Sequence, residues 1–346
     1  MIARCVQKSY QNLLEGFHVR LTFESQCEIL GLQPKLVGEL GGNRVNEAIQ
    51  AIRSMVSEGR YLAAKRFVQG LLNRPDVSTE EKAQAALLGS QVAMTTRDAY
   101  LAWTFAQRAL GLAQECEAEE IEGRALFAIG AARLAIGDYA ETRIFLRQFL
   151  DGLGDRWPQL EDEFAARAYG NLAMAFAGQK LFPDALAAYT SCLTRLERAG
   201  NHPGQVMAHH QMSWVLLQMG AHEEAKEHLD RASSLGPIPE NLLPYHQSHQ
   251  SLYHLYSGEF STAMEQAVEL LDVSRPDVPT SLRAVACFVA GKCALHQRNL
   301  DMAQWFANQA LEFATQDGLS SLLNLVSGLR REVLAATPSP SPNSAE

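Results

Sequence analysis

Long apolar runs are missing from this chain. No stretch approaches the ~18–20 uninterrupted apolar residues of a membrane span, and the opening segment MIARCVQKSYQNLLEG has no apolar core of the kind a secretion signal needs. Cysteine is sparse and unpaired. The six thiols, at Cys5, Cys27, Cys116, Cys192, Cys287 and Cys293, form no Cys-x-x-Cys pair. That excludes a disulfide scaffold and a zinc ribbon, and it reads as the reduced thiols of a cytoplasmic protein. Positive charge is in deficit, with 30 basic residues against 39 acidic ones and a net charge of −9, so a chain-wide electrostatic grip on nucleic acid or anionic lipid is ruled out. Neither common glycine-rich phosphate loop occurs, and there is no Gly-x-Ser-x-Gly nucleophile elbow. Strand-like alternation of useful length is also lacking. What is present is 346 residues of which 47% are apolar, the composition of a folded chain.

Internal repetition organises those residues. Seven segments share a turn residue, an aromatic or apolar residue two later, and alanine five later. They are Gly59-Arg-Tyr61-x-x-Ala64, Arg97-x-Ala99-x-x-Ala102, Gly137-Asp-Tyr139-x-x-Thr142 and Lys180-Leu-Phe182-x-x-Ala185, then Gly220-x-His222-x-x-Ala225, Gly258-Glu-Phe260-x-x-Ala263 and Arg298-Asn-Leu300-x-x-Ala303. The turns lie 38, 40, 43, 40, 38 and 40 residues apart. Seven positions before each turn stand Ile52, Ser90, Gly130, Ala173, Ser213, Ser251 and Gly291, small in six cases of seven; twelve positions after each stand Leu71, Ala109, Phe149, Cys192, Ala232, Leu270 and Ala310, all apolar. Matched small residues on both sides of a turn predict two antiparallel helices in close contact, with the aromatic wedged between successive pairs. One such pair cannot bury its apolar face alone, so the pairs must stack.

This pattern resembles the tetratricopeptide repeat, over roughly residues 46–315, with a period near 40 instead of the usual ~34. The resemblance implies an all-α, right-handed superhelical solenoid of about seven helical hairpins. Helix stops and restarts at Pro75, Gly152–Pro158, Gly200–Pro203, Gly236–Pro239 and Arg275–Pro279 separate the units. Residues 318–335 read as a last amphipathic helix capping the array, which makes 46–335 one solenoid domain. The proline- and serine-rich residues 336–346 read as a disordered tail.

Residues 1–45 stand outside the repeat as an N-terminal helical segment. Leu21-Thr22, Cys27, Gly31, Val37, Leu40 and Asn43-Arg44 resemble the helix-turn-helix of phage-repressor-type regulators, a domain that is joined to lengthened repeats in some bacterial regulators. The resemblance implies DNA contacts from Gln33, Lys35 and Arg44. Gln26 stands where that motif is normally apolar, its two closing helices have no room before the first repeat, and residues 1–44 carry five basic and four acidic side chains. A helical cap on the solenoid is the alternative.

Eight of the ten histidines, His202, His209, His210, His222, His228, His246, His249 and His254, fall within 202–254. His246 and His249 are three apart and can share a helix face, but no carboxylate or cysteine stands beside them at ligand spacing, so no metal is expected. His209 and His210 point to different faces of one helix, and His222, at the repeat's aromatic position, is expected to pack in the core. The cysteines lie on apolar helix faces and the acidic pairs Glu119-Glu120 and Glu223-Glu224 sit on exposed helix starts, so neither catalysis nor a cofactor is expected.

What remains is the groove. In a superhelix of the family's kind the first helix of each hairpin lines the concave wall, with wall positions about thirteen, ten, six, three and two residues before each turn. These positions hold Arg124, Phe127, Arg167, Met174, His210, Trp214, Gln218, Tyr245, Tyr256, Phe288, Lys292 and His296. Cationic side chains would meet carboxylates and aromatic faces would take apolar side chains of a bound peptide. The corresponding positions Arg124, Gly170, Met174, His210 and Trp214 lack the lysine and asparagine series of repeats that clamp an acidic C-terminal peptide. The leading expectation is a cytoplasmic bacterial adaptor or ligand-responsive regulator with a protein or peptide partner. DNA through residues 21–44 is the alternative, no membrane partner is expected, and a homo-oligomer is compatible with the sequence.

Overall fold

The computed structural model describes residues 44–157, 162–272, 274–317 and 320–336. Seven antiparallel helical hairpins follow one another, with no strand among the described residues. They pair α1 (Arg44–Ser57) with α2 (Tyr61–Leu72), α3 (Thr79–Thr95) with α4 (Ala99–Glu115), and α5 (Glu119–Ile136) with α6 (Tyr139–Asp151). Next come α7 (Asp162–Gly178) with α8 (Phe182–Arg198) and α9 (His202–Met219) with α10 (His222–Ser234). A 3-10 turn at Glu240–Leu242 then leads into α11 (Leu243–Tyr256), paired with α12 (Phe260–Leu271). The last hairpin is α13 (Thr280–His296) with α14 (Leu300–Asp317), and a single helix, α15 (Ser320–Ala336), packs on it as the cap. The expected N-terminal segment, with Gln33 and Lys35, and the expected tail lie outside the described residues; Arg44 opens α1.

Every hairpin turn has one geometry. All seven turn residues have positive φ: Gly59 (73°), Arg97 (58°), Gly137 (87°), Lys180 (61°), Gly220 (78°), Gly258 (81°) and Arg298 (59°). In each, the amide after the turn residue donates to the carbonyl four residues before it, at 2.7–3.0 Å, closing the helix end. Three of these left-handed positions hold residues with a Cβ, which glycine would relieve. Lys180→Gly and Arg298→Gly are each expected to raise stability by about 0.5–1 kcal/mol, read as a higher urea midpoint; an unchanged or lower midpoint would show that the turns carry no such strain.

Packing follows the repeated positions. Ala64, Ala102, Thr142, Ala185, Ala225, Ala263 and Ala303 are all wholly buried. Thr142 replaces alanine without an orphaned hydroxyl, because its Oγ1 donates to the Asp138 carbonyl at 2.8 Å. The small positions seven before each turn are buried as well. A Cβ on Gly130 would stand 2.6 Å from Leu146 Cδ2, and one on Gly291 2.7 Å from Leu329 Cδ2. The aromatic position is half-buried throughout, His222 included, which corrects the expectation of a core histidine there. The reason is that the ring reaches across to the next hairpin: Tyr139 lies over Gly178, and Phe260 stacks on His296 with centroids 3.6 Å apart.

The contacts also fix which helices form the inner wall. First helices of neighbouring hairpins touch in the steps α1–α3, α3–α5, α5–α7, α9–α11 and α11–α13, and α13 touches α15. Successive second helices make no comparable contact among the described residues. The layer with the shorter spacing between repeats is the concave one. Along it the helices approach each other least between α7 and α9. No helix among the described residues is long and apolar enough to cross a membrane.

Candidate functional site

On the inner wall the half-buried or exposed stripe of α3, α5, α7 and α9 runs thirteen, nine, six and two residues before the turn, the 4-3-4 spacing of one helix face, whereas His249 and Leu252 of α11 and Val289 of α13 are buried at those positions. The position ten before the turn, expected on the wall, is buried: Phe127 is 6%, His210 0% and Phe288 4% exposed. These three side chains face the neighbouring helices and are not available to a ligand. Phe127 packs edge-on against Phe164 with centroids 4.9 Å apart and also meets Phe149 at 5.8 Å. In exchange the wall includes Asn171, Met207 and Gln211, all half-buried. Strict helical spacing counted from Arg167 would have found Asn171 in the sequence.

From α5 to α7 the wall is cationic over aromatic. Arg124 is half-buried and ion-paired with Glu120 at 2.6 Å, one helical turn away. Arg167 is exposed and lies 5.2 Å above the Phe127 ring and 5.5 Å from Phe164. It makes no ion pair or hydrogen bond among the described residues. Its guanidinium is thus held by the rings and open to an anion. Met174, one helix face along, is 45% exposed.

From α9 to α11 the wall is neutral and aromatic. Trp214 meets Tyr256 edge to face at 6.0 Å and 75°, and Gln218 Nε2 donates to the Tyr256 hydroxyl at 2.9 Å. Tyr245 is half-buried at the start of α11. Farther on, the cation expected at Lys292 is taken by Glu332 of the capping helix at 2.6 Å. His296 is exposed but stacked on Phe260. The inner wall therefore has one free cation, Arg167, among the residues expected there, and one aromatic platform, Trp214–Tyr256, a hairpin away.

Behind that platform lies a histidine layer. His209 and His210 do point to opposite faces of α9. His209 Nδ1 meets His228 Nδ1 of α10 at 2.9 Å, and His210 Nε2 meets His246 Nδ1 of α11 at 2.9 Å. His249 stacks on His210 with centroids 4.9 Å apart and donates from Nδ1 to the Tyr245 carbonyl at 2.8 Å. His210 Nδ1 has no partner. A buried bare lone pair costs less than a buried N–H without an acceptor, so His210 carries its proton on Nε2 and donates to His246. Burial pushes His209 and His249 down to about 4 and His210 to about 2, and it lowers His228 and His246 too. All five are neutral at pH 7. No group of histidine, cysteine and carboxylate side chains among the described residues is arranged to hold a metal. The buried thiols Cys192, Cys287 and Cys293 are held at about 11, 12 and 11 by desolvation, far from the thiolate a nucleophile needs.

Residues 164–235, which span α7 to α10, match the tetratricopeptide repeat family model. No curated protein sequence matches the chain. Solved structures match over most of its length. The apo form of the quorum sensor NprR from B. thuringiensis aligns with a TM-score of 0.60 at 11% identity, over 97% of this chain and 99% of that one. NprR in complex with its cognate peptide NprX gives 0.57 at 12%, over 96% and 92%. A Rap protein complexed with competence and sporulation factor gives 0.57 at 15%, over 86% and 79%. At such identities the likeness is one of fold.

Proposed function

We propose that this tetratricopeptide-repeat protein, a solenoid of lengthened helical hairpins, binds a peptide or a segment of a partner protein along its inner wall. It works by that binding alone, without catalysis, as a bacterial cytoplasmic adaptor or ligand-responsive regulator. The observation that carries the reading is Arg167, a guanidinium fixed over two rings and without an ion pair among the described residues, on the wall of a chain with net charge −9. A carboxylate of the ligand meets Arg167, and an apolar or aromatic side chain lies on Trp214 and Tyr256. Between them Asn171 and Gln211 offer both donors and acceptors, which suits the backbone of an extended peptide. The solved NprR–NprX complex shares the fold and supports a peptide as ligand.

Short peptides selected from a displayed random library against the intact protein test this. Arg167→Glu is expected to weaken the selected peptides about 10- to 100-fold, the loss of a charge-assisted hydrogen bond, and Trp214→Ala by at least about tenfold. Peptides held equally well by both variants would overturn the reading.

A further inference from the structure

Only two polar side-chain bridges among the described residues join α9 to α11: His210–His246 at 2.9 Å in the buried layer, and Gln218–Tyr256 at 2.9 Å on the wall. They lie two helical turns apart on the same pair of helices, and Trp214 stands between them on α9. Apolar packing of Leu216 and Leu217 with Leu252 and Leu255 also joins the two helices, but α11 has little support from the preceding second helix. The preceding helix α10 touches α11 sparsely, and the link between them runs through Gly236-Pro-Ile-Pro239. We propose that the buried histidines are positioning residues for the Trp214–Tyr256 platform, and that protonating them loosens α9 from α11 and releases what the platform holds. The release half rests on the groove reading above; the loosening does not.

The surroundings supply only one carboxylate, Glu197, toward an imidazolium there. From α11 the groups facing His210 are His246 and His249, with the Tyr245 carbonyl already accepting from His249. From α10 come His228 and Arg231, the latter paired with Glu227 at 3.6 Å. From α8 comes Glu197, which acts on His209 more weakly than burial and the neighbouring cations do. Arg275, in the segment after α12, reaches Gln247 of α11 at 3.0 Å. His254 is different: it has its own carboxylate, Glu259, at 2.7 Å, and sits outside the layer. Charging the layer therefore sets like charges against one another between α9 and an α11 that α10 supports only sparsely, and separation of the two helices relieves it.

Hydrogen exchange of the full chain at pH 7.5 and 5.0, corrected for the intrinsic rate, reads the loosening without any ligand. Amides of α9 and α11 are expected to lose at least tenfold in protection at pH 5.0 while those of α3 and α4 do not change. His210→Gln with His249→Phe keeps a hydrogen bond and a stacked ring but removes two of the titrating groups, and it is expected to shrink the difference several-fold, leaving what His209, His228 and His246 supply. Should that variant fold poorly, His246→Gln carries the same comparison, and the imidazole nitrogen spectrum of the unmodified protein at pH 5.0 must show the layer still neutral, because only the opened helices take up the protons. Uniform loss along the chain, no loss at all, or an undiminished loss in the variants would each overturn the proposal. Local loosening without faster release, at pH 5.0, of a library-selected peptide would refute its second half, and failure to select any peptide would count against the groove reading alone.

Discussion

Lowering the pH from 7.5 to 5.0 is expected to cost the protein about 6 kcal/mol of folding stability, ~2 kcal/mol from each of His209, His210 and His249. The unfolded chain takes up a proton at each of these sites near pH 6.5, while the folded chain holds them at about 4, 2 and 4. Their neutral burial thus contributes fully above pH 6.5. Below it each site loses about 1.4 kcal/mol per pH unit until the folded value is reached. His228 and His246 shift the same way and add to the loss. Surface carboxylates lowered by their partners, such as Asp272 and Asp277, give up their contribution only at lower pH, so they do not mimic the effect. Urea midpoints at the two pH values check this. The His210→Gln/His249→Phe protein should lose about 4 kcal/mol of the pH dependence and keep what His209, His228 and His246 supply. A stability flat between pH 7.5 and 5.0 would mean that the histidine layer is not closed to protons in the native state.

Trp157→Ala is expected to cost about 3–5 kcal/mol. Trp157 lies in the link between α6 and α7 and is wholly buried. It stacks on Phe149 at 5.6 Å and 10°, and it fills space left by two glycines: a Cβ on Gly123 would be 2.7 Å from its Cδ2, and one on Gly152 2.4 Å from its Cζ3. Its neighbour Arg156 reaches across to the buried Glu122 at 2.6 Å, which ties the same link to α5. Its indole N–H finds no acceptor among the described residues, so packing supplies the stabilisation. Since each hairpin is held mainly by its neighbours, the loss should appear as a denaturation curve that broadens or splits between α5 and α7. A variant with the original midpoint and slope would show that the ring is not the wedge its contacts make it.

The architecture was legible because the repeat constrains every level at once. One register, set by Gly59 to Arg298, marks residues that are left-handed, residues that are buried and residues that touch the next hairpin. The turns at Arg97, Lys180 and Arg298 show that this register outlasts glycine itself. The candidate site was less legible. Offsets from a turn decide a side chain's direction only to within a residue, and one residue is about 100° of helix, which is why Phe127, His210 and Phe288 went to the wall and Asn171 and Gln211 did not. Other features depend on partners remote in sequence. Glu332 neutralises Lys292 from 40 residues away, and the histidine layer draws on three helices. Trp157 sits in a segment whose glycines and proline mark it as a mere link. No periodic pattern announces any of these.

The most direct test of the central claim is where a selected peptide protects the chain. Hydrogen exchange with and without such a peptide, at pH 7.5, is predicted to show protection on α7, α9 and α11, the helices that carry Arg167, Trp214 and Tyr256. Protection confined to the second helices, or to residues 21–44, would contradict the account and move the working surface off the inner wall.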